Sequence, residues 1–331
     1  MDEAGLVPGI TGLGIHVPER VLTNYDLERM VDTSDAWIME RTGIRERRLA
    51  APDECTSDLA VKAARKALDA AGLPAAAVEL IIVATATPDM LFPATACLVQ
   101  DRLGARQAAA FDLEAGCSGF IYGLAVGAQF IRAGAYKNVL VIGADTLSKV
   151  TNWKDRTTCV LFGDGAGAAV LQPVEPPRGM LSVYLRADGS GADLLKLPAG
   201  GSRLPASAET VRGDLHYLAM NGREIFKFAV RAMGEAAVEA LRRAGIRQEE
   251  VDCFIPHQAN IRIIDALAKR LSLPPDKVVV NVDRYGNTSA ASIPLALYEA
   301  VSAGKVKPGE SLVLAVAFGA GLTWGALVLR Y

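Results

Sequence analysis

Cys117 is the residue best placed by its neighbours to act as a nucleophile. It lies in Glu114-Ala115-Gly116-Cys117-Ser118-Gly119, between an apolar strand and the first turn of a helix. There the macrodipole and free N–H groups favour a thiolate, so its pKa is expected to fall from about 8.5 into the range of roughly 3.5 to 7.5. A lone cysteine in apolar surroundings is otherwise a small buried hydrophobe, so its partners must decide between the two. Histidine is scarce, with only His16, His216 and His257. His257 closes a strand in Ile255-Pro256-His257-Gln258-Ala259-Asn260, and Asn287 occupies a strand-to-helix turn, Arg284-Tyr285-Gly286-Asn287-Thr288-Ser289, like that of Cys117. Singly, these are a core histidine and a turn asparagine. Three strand ends that converge would instead make a nucleophile, an imidazole and an amide donor.

The elements that must position them are legible. Apolar runs predict strands over 80–86, 138–144, 168–174, 252–257 and 278–282, and helical spacing predicts helices over 57–72, 118–134, 225–245 and 291–304. The 118–134 helix is apolar nearly all round and is expected in the centre of the molecule. The order repeats: a helix ends at Ala71-Gly72 and a strand follows Val78-Glu79, while a second helix ends at Ala244-Gly245 and a strand follows Val251-Asp252. Each half continues with a strand, a Gly-containing turn, a buried helix and another strand. The repeat is far longer than any solenoid period, so it predicts two similar α/β halves, 1–174 and 175–331, about a pseudo-dyad. Ligands in such sheets sit outside the carboxyl ends of strands, where Cys117 and Asn287 fall.

Composition excludes several functions. The 331 residues are 51% hydrophobic, with 35 Lys and Arg against 37 Asp and Glu, so no basic field exists to hold nucleic acid. Five cysteines without CxxC spacing argue against a disulfide framework and for a reducing, cytoplasmic setting. The opening MDEAGLVPGI lacks the basic and apolar regions of a signal peptide, and the mature chain is expected to start there. Ser311 to Leu329 is uncharged and long enough to span a bilayer. Gly319, Ala320 and Gly321, however, read as a turn between two strands, so no membrane association is expected. The glycine run Phe162-Gly163-Asp164-Gly165-Ala166-Gly167 precedes a strand where a phosphate loop would precede a helix, and is read as a structural turn. No motif for a metal or redox cofactor is present.

Four stretches carry a family resemblance: Glu114 to Phe120, Pro256 to Asn260, Tyr285 to Ala290, and Ala317-Phe318-Gly319-Ala320-Gly321-Leu322-Thr323-Trp324-Gly325. In order and over almost the whole chain they resemble the β-ketoacyl-[acyl-carrier-protein] synthase III family, initiating condensing enzymes of type II fatty acid synthesis. The resemblance implies a thiolase-like α/β fold, five-layered αβαβα, from two duplicated halves. It also implies a decarboxylative Claisen condensation of a short acyl-CoA, acetyl-CoA first among starters, with malonyl-acyl-carrier-protein.

By that resemblance Cys117 is acylated, and His257 and Asn287 hold the enolate that decarboxylation leaves. The backbone N–H groups of Cys117 and Ala320 hold the tetrahedral oxyanion, and Phe318 keeps the site dry. Many relatives have Gly at position 320, a difference that matters only if the position needs a positive φ. The resemblance further implies that Trp37 and Arg156 sandwich the adenine of CoA and Arg41 meets its phosphates. Gly222 and Asn260 would line the pantetheine tunnel, Asn260 also ordering a water near His257. Lys227 and Arg262 would meet the acidic carrier protein, and Phe92 would reach into the partner's acyl pocket in a homodimer. CoA thioester is a substrate, and no cofactor is implied. A degradative thiolase would need a second cysteine near the C-terminal turn, yet the last is Cys253. The elongating synthases would have histidine where Asn287 stands. A specialised relative loading another acyl group and a non-catalytic binder of CoA or carrier protein remain as alternatives. The loop from Gly191 to Asn221, rich in Gly, Pro and Ser, leaves the starter open.

Overall fold

The computed structural model describes residues 5–331; the first four residues of the opening segment lie outside it. The first sheet is built from β1 (Val7–His16), β2 (Leu80–Ala84), β3 (Ala109–Leu113), β4 (Val139–Thr146) and β5 (Asp164–Val174), in the order β1-β5-β4-β2-β3. The second contains β6 (Gly179–Ala187), β7 (Cys253–Pro256), β8 (Leu312–Gly319) and β9 (Thr323–Arg330), in the order β7-β8-β9-β6. The pairs β2 with β4 and β7 with β8 correspond and are parallel, while the other corresponding pairs, β4 with β5 and β8 with β9, and β5 with β1 and β9 with β6, are antiparallel.

Helices α1 (Asp35–Thr42), α2 (Thr56–Ala71), α3 (Thr95–Leu103), α4 (Gly119–Arg132), α5 (Gly222–Ala244), α6 (Ile261–Arg270) and α7 (Ser292–Ser302) complete the frame. α2 and α3 cover the outer face of the first sheet, α4 and α7 lie between the sheets, and α5, with α6 against it, covers the second. This is the five-layered αβαβα arrangement. α4 is buried at its centre, because an apolar surface on every side requires a sheet on both.

Gly72 and Gly245, Leu80 and Cys253, Gly119 and Ser292, Val139 and Leu312 are equivalent, each pair 173 positions apart. Gly72 and Gly245 both end their helices in the left-handed region, at φ 61° and 67°. The same spacing makes Cys117 equivalent to Ala290 and Asn287 to Glu114. The two turns therefore correspond, but the reactive residues occupy different positions within them. Duplication has supplied two similar frames for chemistry that is not itself symmetric.

Two expectations need correction. Residues 278–282 form no strand. Val278 makes a single parallel bridge to Phe254, and a short helix begins at Val282. The buried Gln258 side chain takes over the role of a ladder: its Nε2 donates to Val279 O at 3.0 Å, and its Oε1 accepts from the N–H of Asn281 at 2.9 Å and of Val282 at 3.2 Å. The glycine run, read as a turn, includes the start of strand β5 from Asp164 onward. There a Cβ on Gly167 would fall 2.6 Å from Pro294 Cβ on α7, so the missing side chain lets the central helix sit on the sheet. The uncharged C-terminal stretch is the β8–β9 hairpin, and no helix among the described residues is long and apolar enough to cross a membrane.

Gly167→Ala should force α7 off β5 and cost about 1–3 kcal/mol of unfolding free energy, the usual penalty of overpacking, read from urea denaturation. An unchanged midpoint would show that the layers yield there.

Candidate active site

Cys117 lies in a single 3-10 turn, Gly116–Ser118, that leads into α4. Gly116, at φ 50°, permits the turn; its N–H donates to Glu114 Oε1 at 2.9 Å. The turn is pressed against the β8–β9 hairpin. A Cβ on Gly319 would fall 2.4 Å from Cys117 N, and one on Gly116 would fall 2.7 Å from Ala320 N. The backbone of the Gly319–Ala320 turn is thereby packed directly against the backbone of the Cys117 turn. Thr323 Oγ1 bridges the same two turns, 2.7 Å from Ala115 O and 3.0 Å from Ala320 O. Ala320 is not among the residues with positive φ, so its Cβ is accommodated without strain.

His257 follows β7 directly, and its N–H donates to Val316 O at 2.8 Å, extending the parallel pairing with β8 by one residue. Its Nδ1 lies 2.6 Å from Ser292 Oγ at the start of α7. Asn287 is held by its backbone in a parallel bridge to Phe162: its N–H donates to Leu161 O at 2.8 Å, and its carbonyl accepts from Gly163 N at 3.0 Å. The Asn287 Oδ1 accepts from Ser289 N at 2.9 Å. With the amide oxygen so engaged, Nδ2 is the end left to donate.

Cys117, His257 and Asn287 are 8%, 3% and 8% exposed, and all three line one cavity of about 170 Å³ with Phe318 and Gly319. Its walls are mainly apolar and include Gly222 and Asn260. They also include Leu161, Phe162, Phe226, Leu195 and Met220, which sequence reasoning missed. Phe162 was hidden in the glycine run. Leu195 and Met220 come from the 191–221 loop, which pairs Leu195–Lys196 with Ala219–Met220 in a small antiparallel ribbon. A larger hollow of about 720 Å³, beside His16, Asp53, Glu54 and Lys62, is an open charged depression on the surface, away from these residues.

Burial governs the electrostatics. It pushes the Cys117 thiol up to about 12; a hydrogen bond from Ser289 opposes this, and the carboxylates of Asp145 and Glu114 reinforce it. The direction is the reverse of the lowering expected from the helix N-terminus, because burial in the resting cavity disfavours the thiolate. Asp145 is itself fully buried. Its Oδ1 accepts from Ala86 N and Thr87 Oγ1, both at 2.8 Å, and its Oδ2 accepts from Ala290 N at 3.2 Å. Burial also lowers His257 to about 4, so its imidazole is neutral at physiological pH.

The other implied contacts divide. Trp37, Arg41 and Arg156 do come together, but the guanidinium carbon of Arg156 stands 5.3 Å from the centroid of the Trp37 ring and that of Arg41 5.8 Å. Arg156 and Trp37 are thus in direct contact, which a purine sandwiched between them would have to open. The Asn260 side chain caps α6, accepting from Arg262 N at 2.9 Å, and donates to Arg41 O at 3.0 Å, tying α6 to the end of α1. Arg262 stacks on Phe226 at the cavity wall, whereas Lys227 is in an ion pair with Glu224 at 3.1 Å. Phe92 lies outside the cavity of its own chain and is 84% exposed.

His257 takes a proton near its ordinary 6.5 when unfolded but only near 4 when folded. The stability this neutral burial contributes is thus fully present above pH 6.5 and is lost as pH falls through 4. Urea midpoints at pH 7.5 and 4.5 should fall less steeply in His257→Gln than in the unaltered protein, and equal falls would count against a neutral buried ring.

Comparison with known proteins agrees with this geometry. Residues 111–189 match the family model for 3-oxoacyl-[acyl-carrier-protein] synthase III, and residues 241–331 match that for the C-terminal part of the same enzymes. The chain is 62% identical to a β-ketoacyl-[acyl-carrier-protein] synthase III of Symbiobacterium thermophilum and 59% identical to one of Caldanaerobacter subterraneus, over 98% of each chain. The crystal structure of 3-oxoacyl-[acyl-carrier-protein] synthase III from Aquifex aeolicus superposes with a TM-score of 0.91 at 52% identity, covering 98% of this chain and 100% of that one. The priming β-ketosynthase of the R1128 polyketide pathway follows at 37% identity and a TM-score of 0.90, with 98% and 97% covered. With a buried Cys, His and Asn on one cavity of a duplicated five-layered frame, and likeness of this degree from end to end, the chain belongs to the β-ketoacyl-[acyl-carrier-protein] synthase III family, acyltransferases of thiolase-like fold that carry out the initiating condensation of fatty acid synthesis.

Proposed function

We propose that this chain condenses a short acyl group, acetyl from acetyl-CoA, with malonyl-acyl-carrier-protein, giving 3-oxoacyl-acyl-carrier-protein, CO2 and CoA through an acyl-Cys117 intermediate. The observation that carries the reading is the meeting of Cys117, His257 and Asn287 on one mainly apolar cavity, with the Gly319–Ala320 turn packed against the turn of Cys117. Cys117 sulfur attacks the thioester carbonyl and loses its proton as the C–S bond forms. That proton leaves on the CoA thiol. The α4 N-terminus and the Ser289 hydroxyl favour the charge developing on sulfur. Malonyl-acyl-carrier-protein then enters and its C–CO2 bond breaks. The electron pair passes to the thioester oxygen, which accepts from His257 Nε2 and Asn287 Nδ2. A neutral imidazole and a neutral amide serve here without titrating. The carbon attacks the acyl carbonyl, whose oxygen is held by the N–H groups of Cys117 and Ala320. Collapse releases the product and a thiolate, which is reprotonated.

The halves 1–174 and 175–331 on this reading carry the nucleophile and the two donors respectively. Trp37, Arg41 and Arg156 hold the nucleotide end of CoA, and Gly222 and Asn260 flank the pantetheine. Arg262, with Lys227, presents positive charge to the acidic carrier protein. Exposed Leu91 and Phe92, and β3 as an edge strand, support a homodimer in which Phe92 enters the partner's acyl pocket. The protein acts in the cytoplasm, and the only thioester carriers needed are substrates. The polyketide priming relative supports a second reading, in which the same residues load a different starter.

Intact-mass analysis after incubation with acetyl-CoA, isobutyryl-CoA and a long-chain acyl-CoA should show an acetyl adduct on Cys117, discharged by malonyl-acyl-carrier-protein. No adduct on Cys117, or one that malonyl-acyl-carrier-protein leaves in place, would defeat the proposal; preference for another acyl group would favour the second reading. Asn287→Ala should keep the adduct but lower condensation kcat on the order of a hundredfold, the cost of one oxyanion donor.

A further inference from the structure

The turn that carries Asn287 ends at Ser292, and the Ser292 side chain is set against the far nitrogen of His257. The residue is 1% exposed and its Oγ lies 2.6 Å from His257 Nδ1. Among the described residues this is the only hydrogen bond recorded for that hydroxyl. A neutral imidazole has one donor and one acceptor nitrogen. If Nδ1 held the proton and donated to Ser292, the hydroxyl's own proton would be buried without an acceptor, at the cost of an unsatisfied polar group. If Ser292 donates, both groups are satisfied and the imidazole proton must sit on Nε2.

The same turn acts on Asn287. Ser289, held at φ 50° in the position equivalent to Gly116, points its backbone N–H at Asn287 Oδ1. Such left-handed conformations are costly for serine and persist where surrounding structure imposes them. Each group facing the cavity thus has its acceptor end occupied by the 287–292 turn, and each keeps an N–H for a ligand oxygen.

We propose that Ser292 is a positioning residue that fixes His257 as the Nε2–H tautomer, making it a hydrogen-bond donor to the enolate oxygen. Its importance for decarboxylation rests on the function proposed above, while the tautomer itself does not. With three histidines in the chain, 15N-histidine spectra at pH 7.5 can assign each ring, His257→Gln identifying the relevant signals. The wild-type protein should show a protonated Nε2 and an acceptor Nδ1 at His257. In Ser292→Ala this signature should shift towards the other tautomer or a mixture. The acetyl burst on Cys117 should stay at the wild-type rate while condensation kcat falls tenfold or more, and Ser292→Thr, which keeps a hydroxyl, should recover part of the loss. A protonated Nδ1 in the wild-type protein would overturn the proposal whether or not the variants fold, as would a Ser292→Ala protein with unchanged tautomer and turnover. Failure of Cys117 to take any acyl group would instead defeat the proposed function and leave the tautomer result standing.

Discussion

The buried carboxylate of Asp145 is the interaction on which the relative placement of the reactive residues depends. It stands near the end of β4 and accepts from Thr85, Ala86 and Thr87 with one oxygen, and from Ala290 of the other half with the second. Burial holds the Asp145 carboxyl above its usual range, and such a group is tolerated only when its oxygens are partnered, so these groups cannot drift apart without leaving polar atoms unsatisfied in an apolar interior. The loop after β2, the end of β4 and the 287–292 turn are thereby held to one another; Asn287 belongs to that assembly, and the Ser289 side chain brings it to Cys117. Stability and chemistry conflict here, because any negative charge on Asp145 adds to the burial that keeps the Cys117 thiol protonated.

That conflict accounts for the way the cavity is furnished. Exclusion of water strengthens every donor aimed at a developing oxyanion, and it holds His257 neutral so that its proton is a permanent donor. The cost falls on Cys117, whose charged form loses its hydration. The fold answers with local dipoles: the start of α4, the Ser289 hydroxyl and the residue's own N–H all favour charge on sulfur. None of these changes its protonation, so the site can work without a titrating base beside the thiol.

The duplicated architecture supplies the geometry at little extra cost in design. Two copies of a strand, a tight turn and a central helix meet about one axis, so two turns face each other by construction. Function then needs departures from symmetry at single positions. Cys117 stands opposite Ala290, and His257 follows β7 where Ala84 ends β2. The hairpin turn at Gly319 and Ala320 closes over Cys117, its glycines and those of the nucleophile turn permitting backbone contact that any Cβ would block. On the proposed function, recognition of substrate beyond this centre falls to α1, the 191–221 loop and the mouth formed by α5 and α6.

The sequence by itself determined the framework and singled out the candidate reactive residues. Hydrophobic periodicity marks the buried strands and the central helix α4, because burial on both sides demands apolar residues throughout. The repeated spacing of helix ends and strands reveals the two halves. Cys117, His257 and Asn287 stand out because nucleophile and donor types are rare at such strand ends. Other features were decided only in three dimensions. Residues 278–282 have the composition of a strand, yet the Gln258 side chain takes their backbone groups. Gly163 to Gly167 have the composition of a turn, yet a helix arriving from more than a hundred residues away makes a bare strand surface necessary. The thiol's pKa depends on how completely both halves exclude water, and the donor polarity of His257 depends on a hydroxyl 35 residues distant. Such properties belong to contacts between distant segments, and local sequence carries periodicity and propensity but not those distances.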